Sequence, residues 1–462
     1  MLSKKAWAWG LGAVVVGGVG LGVHSRGWRL LGQTQGGAEE TASPSGALPG
    51  ALSGLAKLVP ALETDPSKVL AGLDLVHVAL DDDGATAPLP GGRLARLTLD
   101  PQLQRTAETV LAAHHIPEAA IVMMDPETFQ VRAYASFLEE GPTRDLCVEA
   151  TAPAASVFKI ITGSALVEHA GLSADTKQCY SGGEQRIHPS DLIDDPQRDR
   201  WCVTLAGAMG RSVNTVFARL AQKHLNPTLL EEMARGFGFG EAIPFDVPVQ
   251  TQKLEIPSDG LGFARTAAGF WNTSLSPLGA AWISATVANG GQAVRPTIVK
   301  QVIGADRKVL FKNPEAGVLR RTLRPEVAEA VTTMMEQTVR DGTSYKAFRD
   351  ASGKSFLPGI PVAGKTGTLT DGPRERFYTW FSGFAPSRPM PGVRPMALAV
   401  LVVNKPTWHV KANVLAREMF RAHFAAQGLP NVTSPVRMPA APAPLSANLA
   451  PTGPRVGGRA SR

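Results

Sequence analysis

Cysteine is scarce in this chain, and neither sign of charge dominates. The 462 residues include 3 cysteines, 47 Lys or Arg and 40 Asp or Glu, and charged residues make up 19% of the total. No two cysteines form a C-x-x-C pair, which argues against a zinc knuckle. No basic stripe with interleaved aromatic residues supports nucleic-acid binding. We therefore expect a globular protein with no metal, no cofactor and no nucleic-acid partner.

The cysteines themselves leave two interpretations open. Cys179 and Cys202 bracket a polar loop, and a disulfide between them would close that loop in an oxidising compartment. Three buried and unpaired thiols, with Cys147 as the third, explain the same sequence equally well. The spacing alone does not decide between them.

One long hydrophobic run is present near the N-terminus. Residues 6–23 carry no charge and follow Lys4 and Lys5. A helix of that length rises about 27 Å, which is enough to cross a hydrocarbon core. No small-x-small cleavage site follows it, so we interpret residues 1–5 as a cytoplasmic stub and residues 6–23 as an uncleaved transmembrane anchor, with a signal peptide as the alternative.

The rest of the chain divides by composition and by periodicity. Residues 24–96 indicate a linker and a small N-terminal region, residues 97–428 a main domain, and residues 429–462 a disordered tail rich in Pro and Ala. The main domain has two strand-like runs early, three late and helical segments between them. This order predicts an α+β fold: a five-stranded antiparallel sheet built from both ends, covered by helices on both faces, with an added helical lobe.

A serine and a lysine stand three residues apart in an apolar stretch, at Ser156 and Lys159, within a predicted helix over residues 154–171. Residues at i and i+3 share a helix face, so the amine can reach the hydroxyl. Lysine serves as a base for serine only when its pKa is lowered by burial or by a second cation. Alone the pair is weak evidence, because S-x-x-K arises about once by chance in such a chain and a snorkelling lysine would explain it.

Two further motifs follow downstream: Ser212-Val213-Asn214 and residues 365–368, KTGT. In this order the three motifs resemble those of the penicillin-binding protein and serine β-lactamase superfamily. Stretches such as TLDPQLQRTAETVL and WFSGFAP also resemble the transpeptidase domain of penicillin-binding proteins, over about residues 97–425. The resemblance implies the monofunctional, membrane-anchored type.

The resemblance assigns roles to the first two motifs. It implies that Ser156 is the nucleophile and Lys159 its base. Ser212 would pass a proton between Lys159 and the leaving group. Asn214 would hold Lys159 and a peptide carbonyl of the substrate. One departure is Ala155, which stands where the family usually has glycine directly before the serine.

The third motif is implied to bind the ligand's carboxyl end. Lys365 would face the substrate carboxylate and help to lower the pKa of Lys159, and Thr366 would hydrogen-bond that carboxylate. Gly367 would leave room for a peptide alongside the strand. The backbone N–H groups of Ser156 and Thr368 would form the oxyanion hole.

The activity implied is that of a D,D-transpeptidase, which cross-links peptidoglycan stem peptides ending in D-Ala-D-Ala through a serine acyl-enzyme and is acylated by β-lactams. A D,D-carboxypeptidase, an endopeptidase or a β-lactamase of the same fold is the alternative, and a β-lactam or muropeptide sensor without turnover is a third hypothesis. The expected location is the cytoplasmic membrane, with a single membrane pass and the catalytic domain in the periplasm. The expected partner is a glycan polymerase in the same membrane.

Overall fold

The computed structural model describes residues 65–435 except for 82, 184–185, 271, 316, 374 and 406. The predicted stub, the predicted anchor, residues 24–64 and residues 436–462 of the predicted tail lie outside the described residues. Within the described part, no helix has the length and the hydropathy needed to cross a membrane.

The α-helices of this part are α1 (Pro66–Val69), α2 (Pro101–Ala112), α3 (Lys159–Ala170), α4 (Leu205–Arg211), α5 (Asn214–His224), α6 (Pro227–Gly236), α7 (Gly260–Ala267), α8 (Pro277–Ala288), α9 (Pro325–Arg340) and α10 (Ala412–Ala426). The strands are β1 (Ala79–Leu80), β2 (Ala85–Leu89), β3 (Arg93–Leu97), β4 (Glu118–Met124), β5 (Val131–Leu138), β6 (Ala152–Pro153), β7 (Lys177–Tyr180), β8 (Trp201–Thr204), β9 (Ser274–Leu275), β10 (Gln292–Val294), β11 (Val299–Ile303), β12 (Val309–Lys312), β13 (Val318–Arg321), β14 (Ala363–Asp371), β15 (Arg376–Ala385) and β16 (Met396–Asn404). Short 3-10 helices span Ala155–Phe158 and Pro189–Leu192.

The central sheet has five antiparallel strands in the order β14-β15-β16-β4-β5. Its first two strands in the chain form a hairpin, and its last three arrive from the far end of the domain, as the sequence predicts. Because successive side chains of a strand point to opposite faces, each strand feeds two cores. Val122 and Met124 of β4 pack in one core, and Ile121 and Met123 pack in the other.

Helices cover both faces of this sheet, which confirms the α+β prediction. Helix α8 packs on β4, β15 and β16 from one side, whereas α2 packs on β5 and α10 on β15 and β16 from the other. Helix α8 is buried around almost its whole circumference, which explains its uniformly apolar sequence. Strand β14 lies at the free edge of the sheet.

A second sheet was not foreseen from the sequence. Its order is β1-β2-β3-β11-β12, so residues 79–97 pair with strands from much later in the chain. The predicted boundary at residues 96 and 97 falls at the end of β3, which pairs with β11 inside the predicted main domain.

The polar loop between β7 and β8 is closed covalently. Cys179 and Cys202 lie opposite each other in this two-stranded ribbon and form a disulfide, while Cys147 is buried and free. The loop is also tied to α5, because Arg219 is buried against Asp199 and donates to the carbonyl of Cys179, over 2.9 Å. Of the two interpretations of the cysteines, the structure has the disulfide.

Candidate active site

A short 3-10 turn carries Ser156 and positions it next to Lys159. The sequence predicts a helix from residue 154, but α3 begins only at Lys159, and Ser156 lies in the 3-10 helix before it. In a 3-10 helix residues i and i+3 eclipse each other, which brings the two side chains closer than an α-helical turn would. The Lys159 Nζ lies 2.9 Å from the Ser156 Oγ.

Ala155 enters this turn in the left-handed region, with φ of 49°. A non-glycine residue is disfavoured there by contact between its Cβ and the backbone. The resemblance predicts glycine at this position, so alanine here adopts a conformation that glycine adopts more readily. The carbonyl of Ala155 is backed by Gly269, where an added Cβ would lie 2.4 Å from that oxygen.

Lys159 is fully buried and has three polar neighbours. Its Nζ lies 2.7 Å from the Asn214 Oδ1, contacts the carbonyl oxygen of Ala268 and reaches the Ser156 hydroxyl. Burial, and then the nearby Lys365 ammonium, lower the pKa of Lys159 well below its usual value. Both influences favour the neutral amine over the ammonium form.

The three neighbours can accommodate an ammonium group, which would donate to all three, or a neutral amine. Such an amine has two N–H donors and one lone pair. The amide oxygen of Asn214 and the carbonyl of Ala268 can only accept, so they take the two donors. The lone pair is then left for the hydroxyl proton of Ser156. This arrangement can remove a proton from Ser156 as its oxygen attacks an electrophile.

The second motif lies at the junction of two helices. Ser212 caps the C-terminus of helix α4 in the left-handed conformation, and the N–H of Val213 donates to the carbonyl of Ala208, over 2.9 Å. Helix α5 then begins at Asn214. This turn brings the hydroxyl of Ser212 and the amide of Asn214 to the same cleft.

Within the described part of the chain, the hydroxyl of Ser212 is hydrogen-bonded to Lys365, at 2.9 Å, and not to Lys159. Lys365 also donates to the carbonyl of Thr366, over 2.8 Å. Its side chain is fully buried, and burial lowers the pKa of Lys365 to about 7. Two of the three donors of its ammonium form are thus engaged by the described residues.

Gly367 shows why a residue without a side chain is needed on β14. An added Cβ would lie 3.1 Å from the Cβ of Trp380 and 3.3 Å from the Cβ of Ala155. Glycine therefore lets the edge strand approach the Ser156 turn closely, a packing role beside the one implied by the resemblance. Trp380 also holds that turn, because its indole N–H donates to the carbonyl of Pro153, over 2.9 Å.

Most of the motif residues border one cleft of about 340 Å³, between the helical lobe and the edge of the sheet, whereas the buried Lys159 and Lys365 do not line it. It contains the predicted residues Ser156, Ser212, Asn214, Thr366, Gly367 and Thr368. Ser156 and Thr368, predicted to supply the oxyanion hole, thus lie on the same cleft.

A model of the penicillin-binding protein transpeptidase domain matches residues 119–420. The chain belongs to this family. The match covers the main sheet, the helical lobe and all three motifs.

Two curated relatives of this penicillin-binding protein domain are peptidoglycan D,D-transpeptidases named PbpA. The protein from Mycobacterium tuberculosis is 30% identical over 277 residues, which cover 57% of this chain and 52% of that protein. The protein from Mycolicibacterium smegmatis is 28% identical over 352 residues and 68% of each chain. The chain thus spans about half the length of the first relative and about two thirds of the second.

Solved structures share the fold. The D,D-transpeptidase domain of a peptidoglycan glycosyltransferase from Eggerthella lenta superimposes with a TM-score of 0.59 at 24% identity and covers 72% of this chain and 83% of that chain. Penicillin-binding protein A from M. tuberculosis, solved as an imipenem acyl-enzyme complex, gives a TM-score of 0.56 at 23% identity and covers 71% and 80%.

The cleft of this penicillin-binding protein domain also contains residues that sequence reasoning missed: Thr343, Thr379, Trp380, Lys411, Ala412 and Asn413. Thr343 lies in the segment after α9, and its Oγ1 is 2.6 Å from the Oγ1 of Thr366. No periodicity marks this position, because Thr343 reaches the cleft only through the packing of α9 against α4 and β14.

Proposed function

We propose that the protein is a serine D,D-transpeptidase that acts on peptidoglycan stem peptides ending in D-Ala-D-Ala and is acylated by β-lactams at Ser156. The observation that carries this proposal is the buried Lys159 amine, which lies 2.9 Å from the Ser156 hydroxyl and whose pKa is lowered well below its usual value by burial and by Lys365. The D,D-transpeptidase names of the PbpA relatives support the choice of reaction.

The reaction proceeds in two transfers. The Ser156 oxygen attacks the carbonyl between the two D-alanines while its proton moves to Lys159. Negative charge develops on the carbonyl oxygen, where the N–H groups of Ser156 and Thr368 stabilise it. The C–N bond then breaks, Lys159 returns its proton through Ser212 to the departing nitrogen, the terminal D-alanine leaves, and an acyl-enzyme remains. An amine of a second stem peptide attacks this ester and gives a proton to Lys159. Lys159 passes that proton to the Ser156 oxygen as the ester bond breaks, and the new amide bond is the cross-link.

The ligand is oriented by the opposite wall of the cleft. The free carboxylate of the terminal D-alanine binds Lys365 and Thr366, and the amide of Asn214 binds a peptide carbonyl nearer the Ser156 turn. A carboxylate next to Lys365 favours its ammonium form, so ligand binding raises the fraction of charged Lys365 above that of the empty site.

The proposal extends to the cellular setting. Residues 6–23 anchor the protein in the cytoplasmic membrane, residues 97–428 act on its outer side, and a membrane glycan polymerase supplies the strands to be cross-linked. The disulfide between Cys179 and Cys202 supports an oxidising compartment for this domain.

The experiment that tests the proposed activity uses the purified full chain, a D-Ala-D-Ala pentapeptide and an acceptor amine. We expect release of D-alanine, a transient acyl-enzyme at Ser156 by mass spectrometry, and an amide product with the acceptor. Ser156→Ala is expected to abolish all three. Formation of free acid only, with the acceptor in excess, would assign the protein to the hydrolases of the same fold, and an unlabelled Ser156 would overturn the proposal entirely.

A further inference from the structure

Thr343 belongs to none of the three motifs, yet its hydroxyl lies next to that of Thr366, the residue proposed to bind the carboxylate of the ligand. The Oγ1 atoms of Thr343 and Thr366 are 2.6 Å apart, a short hydrogen bond between two hydroxyl groups. Both residues line the same cleft as Ser156.

The backbone around Thr343 is fixed from two sides. The N–H of Thr343 donates to the carbonyl of Gly210, over 3.0 Å, close to the end of α4. At Gly342 an added Cβ would lie 2.2 Å from the same carbonyl oxygen, so the chain passes α4 in close contact. The hydroxyl of Ser344 accepts from the Asn413 amide, at 3.2 Å, which connects the segment to α10. The position of the Thr343 hydroxyl is therefore determined by the fold.

The number of protons on the two hydroxyls decides what this contact does. Each hydroxyl has one proton to donate and lone pairs to accept. A carboxylate only accepts hydrogen bonds, so the Thr366 hydroxyl must donate its one proton to the carboxylate when the ligand is bound. Thr366 then has to accept in its contact with Thr343, which makes Thr343 the donor. Without this partner the proton of Thr366 has no preferred direction.

We propose that Thr343 is a positioning residue that directs the hydroxyl proton of Thr366 toward the carboxylate of the ligand. The inference rests on the proposed function, because it takes Thr366 as a ligand of that carboxylate. Thr343 acts through Thr366, and its contribution is confined to ligands that carry the negative charge.

The test compares acylation of the full chain by a penicillin and by the methyl ester of the same penicillin. The variants are Thr343→Val, which keeps the shape and removes the hydroxyl, and Thr343→Ser, which keeps the hydroxyl. Thr332→Val is the matched control, because the Thr332 hydroxyl bonds only within α9, to the carbonyl of Ala328 at 2.8 Å among the described contacts. Thermal unfolding of each variant verifies that it is folded.

We expect Thr343→Val to lower the second-order acylation rate with the free acid by about tenfold, since a hydrogen bond to a charged group is weakened. The rate with the ester should change by less than about twofold, and Thr343→Ser and Thr332→Val should match the wild type. An unchanged rate of Thr343→Val with the acid, an equal loss with acid and ester, or an equal loss in Thr343→Ser would each overturn the inference. Failure of the wild type to be acylated at all would instead refute the proposed function.

Discussion

Two fully buried lysines, Lys159 and Lys365, contact residues that line the cleft, and they differ in what surrounds them. Around Lys159 the described polar contacts are an amide oxygen, a carbonyl and the Ser156 hydroxyl, and a second cation lies nearby. Around Lys365 they are a hydroxyl and a single carbonyl. Burial lowers both pKa values, but only Lys159 has a neighbouring charge that lowers its pKa further.

The difference shows how the surroundings of a lysine can suit it to act as a base or to bind an anion. Under the proposed function, Lys159 is the base and Lys365 binds the carboxylate of the ligand. The dependence runs in one direction, because Lys365 lowers the pKa of Lys159, whereas burial alone lowers the pKa of Lys365. The comparison predicts that removing either amine will have distinguishable consequences.

The largest effect is expected from the two lysine substitutions. Lys159→Met should lower acylation by a penicillin and by its methyl ester alike, by about 10³-fold, since the base is lost for both. Lys365→Met should lower acylation by the free acid about 50-fold, since a hydrogen bond to a charged group is lost, and should spare the ester within about threefold. Stopped-flow measurement of acylation with both probes checks this. Equal losses in both variants with both probes would show that the lysines do not divide the work.

The pH dependence sharpens the same comparison. As the pH rises through about 7, Lys365 loses its proton in the free enzyme. Acylation by the free acid should therefore fall by about tenfold per pH unit well above that value, whereas acylation by the ester should not. On the acid side both probes should lose rate together, because Lys159 becomes protonated. The acylation rates of the two probes, measured between about pH 5 and pH 9 in steps of about half a unit, test this prediction. Profiles that superimpose for the free acid and the ester would contradict it.

A smaller effect is expected where β14 touches the Ser156 turn. Gly367→Ala would place a Cβ against Ala155 and Trp380, which should lower the free energy of unfolding by about 1–3 kcal/mol. Adding Ala155→Gly removes one of the two contacts, so the double variant should recover about 0.5–1 kcal/mol beyond additivity. Gly372→Ala serves as the control, because nothing lies within 4 Å of its added Cβ. Urea unfolding of the wild type and the four variants measures these differences, and strict additivity would mean that β14 and the Ser156 turn do not press on each other here.

The smallest effect concerns the turn before the nucleophile. Ala155→Gly relieves a left-handed alanine, which is worth about 1–2 kcal/mol, but frees the unfolded chain by about 0.4–1 kcal/mol. We expect a net stabilisation of about 0.5 kcal/mol. Ala154→Gly is the contrast, since Ala154 is right-handed with φ of −62° and should lose about 0.5–1 kcal/mol. A loss in Ala155→Gly as large as that in Ala154→Gly would argue against strain at this position.

Local patterns in the sequence predicted the central sheet and its helices. The turn at Asp125 and the apolar runs on both sides of it identify β4 and β5, and the interruption at Ser212 separates α4 from α5. These signals are short-range, because the residues that make the turn or the break are neighbours in the chain.

The features that were not predicted depend on distant partners. Strands β2 and β3 become strands of a five-stranded sheet only through pairing with β11, and Pro88 in β2 weakens any local strand signal. Thr343 reaches the cleft because α9 packs on α4, and the left-handed Ala155 follows from the close passage of Gly269 and β14. The motifs predicted which side chains come together in the site, whereas the long-range contacts determine the distances between them.

The order of strands in the central sheet also governs when reactivity can arise. The serine and its base are synthesised early, but the edge strand that faces them comes late and is held in place by β15 and β16, which bridge it to β4. A nascent or truncated chain that ends before β16 contains Ser156 and Lys365 but lacks the strand that joins the β14-β15 pair to β4. Under the proposed function, acylation by a β-lactam should therefore report on completed folding of the whole domain.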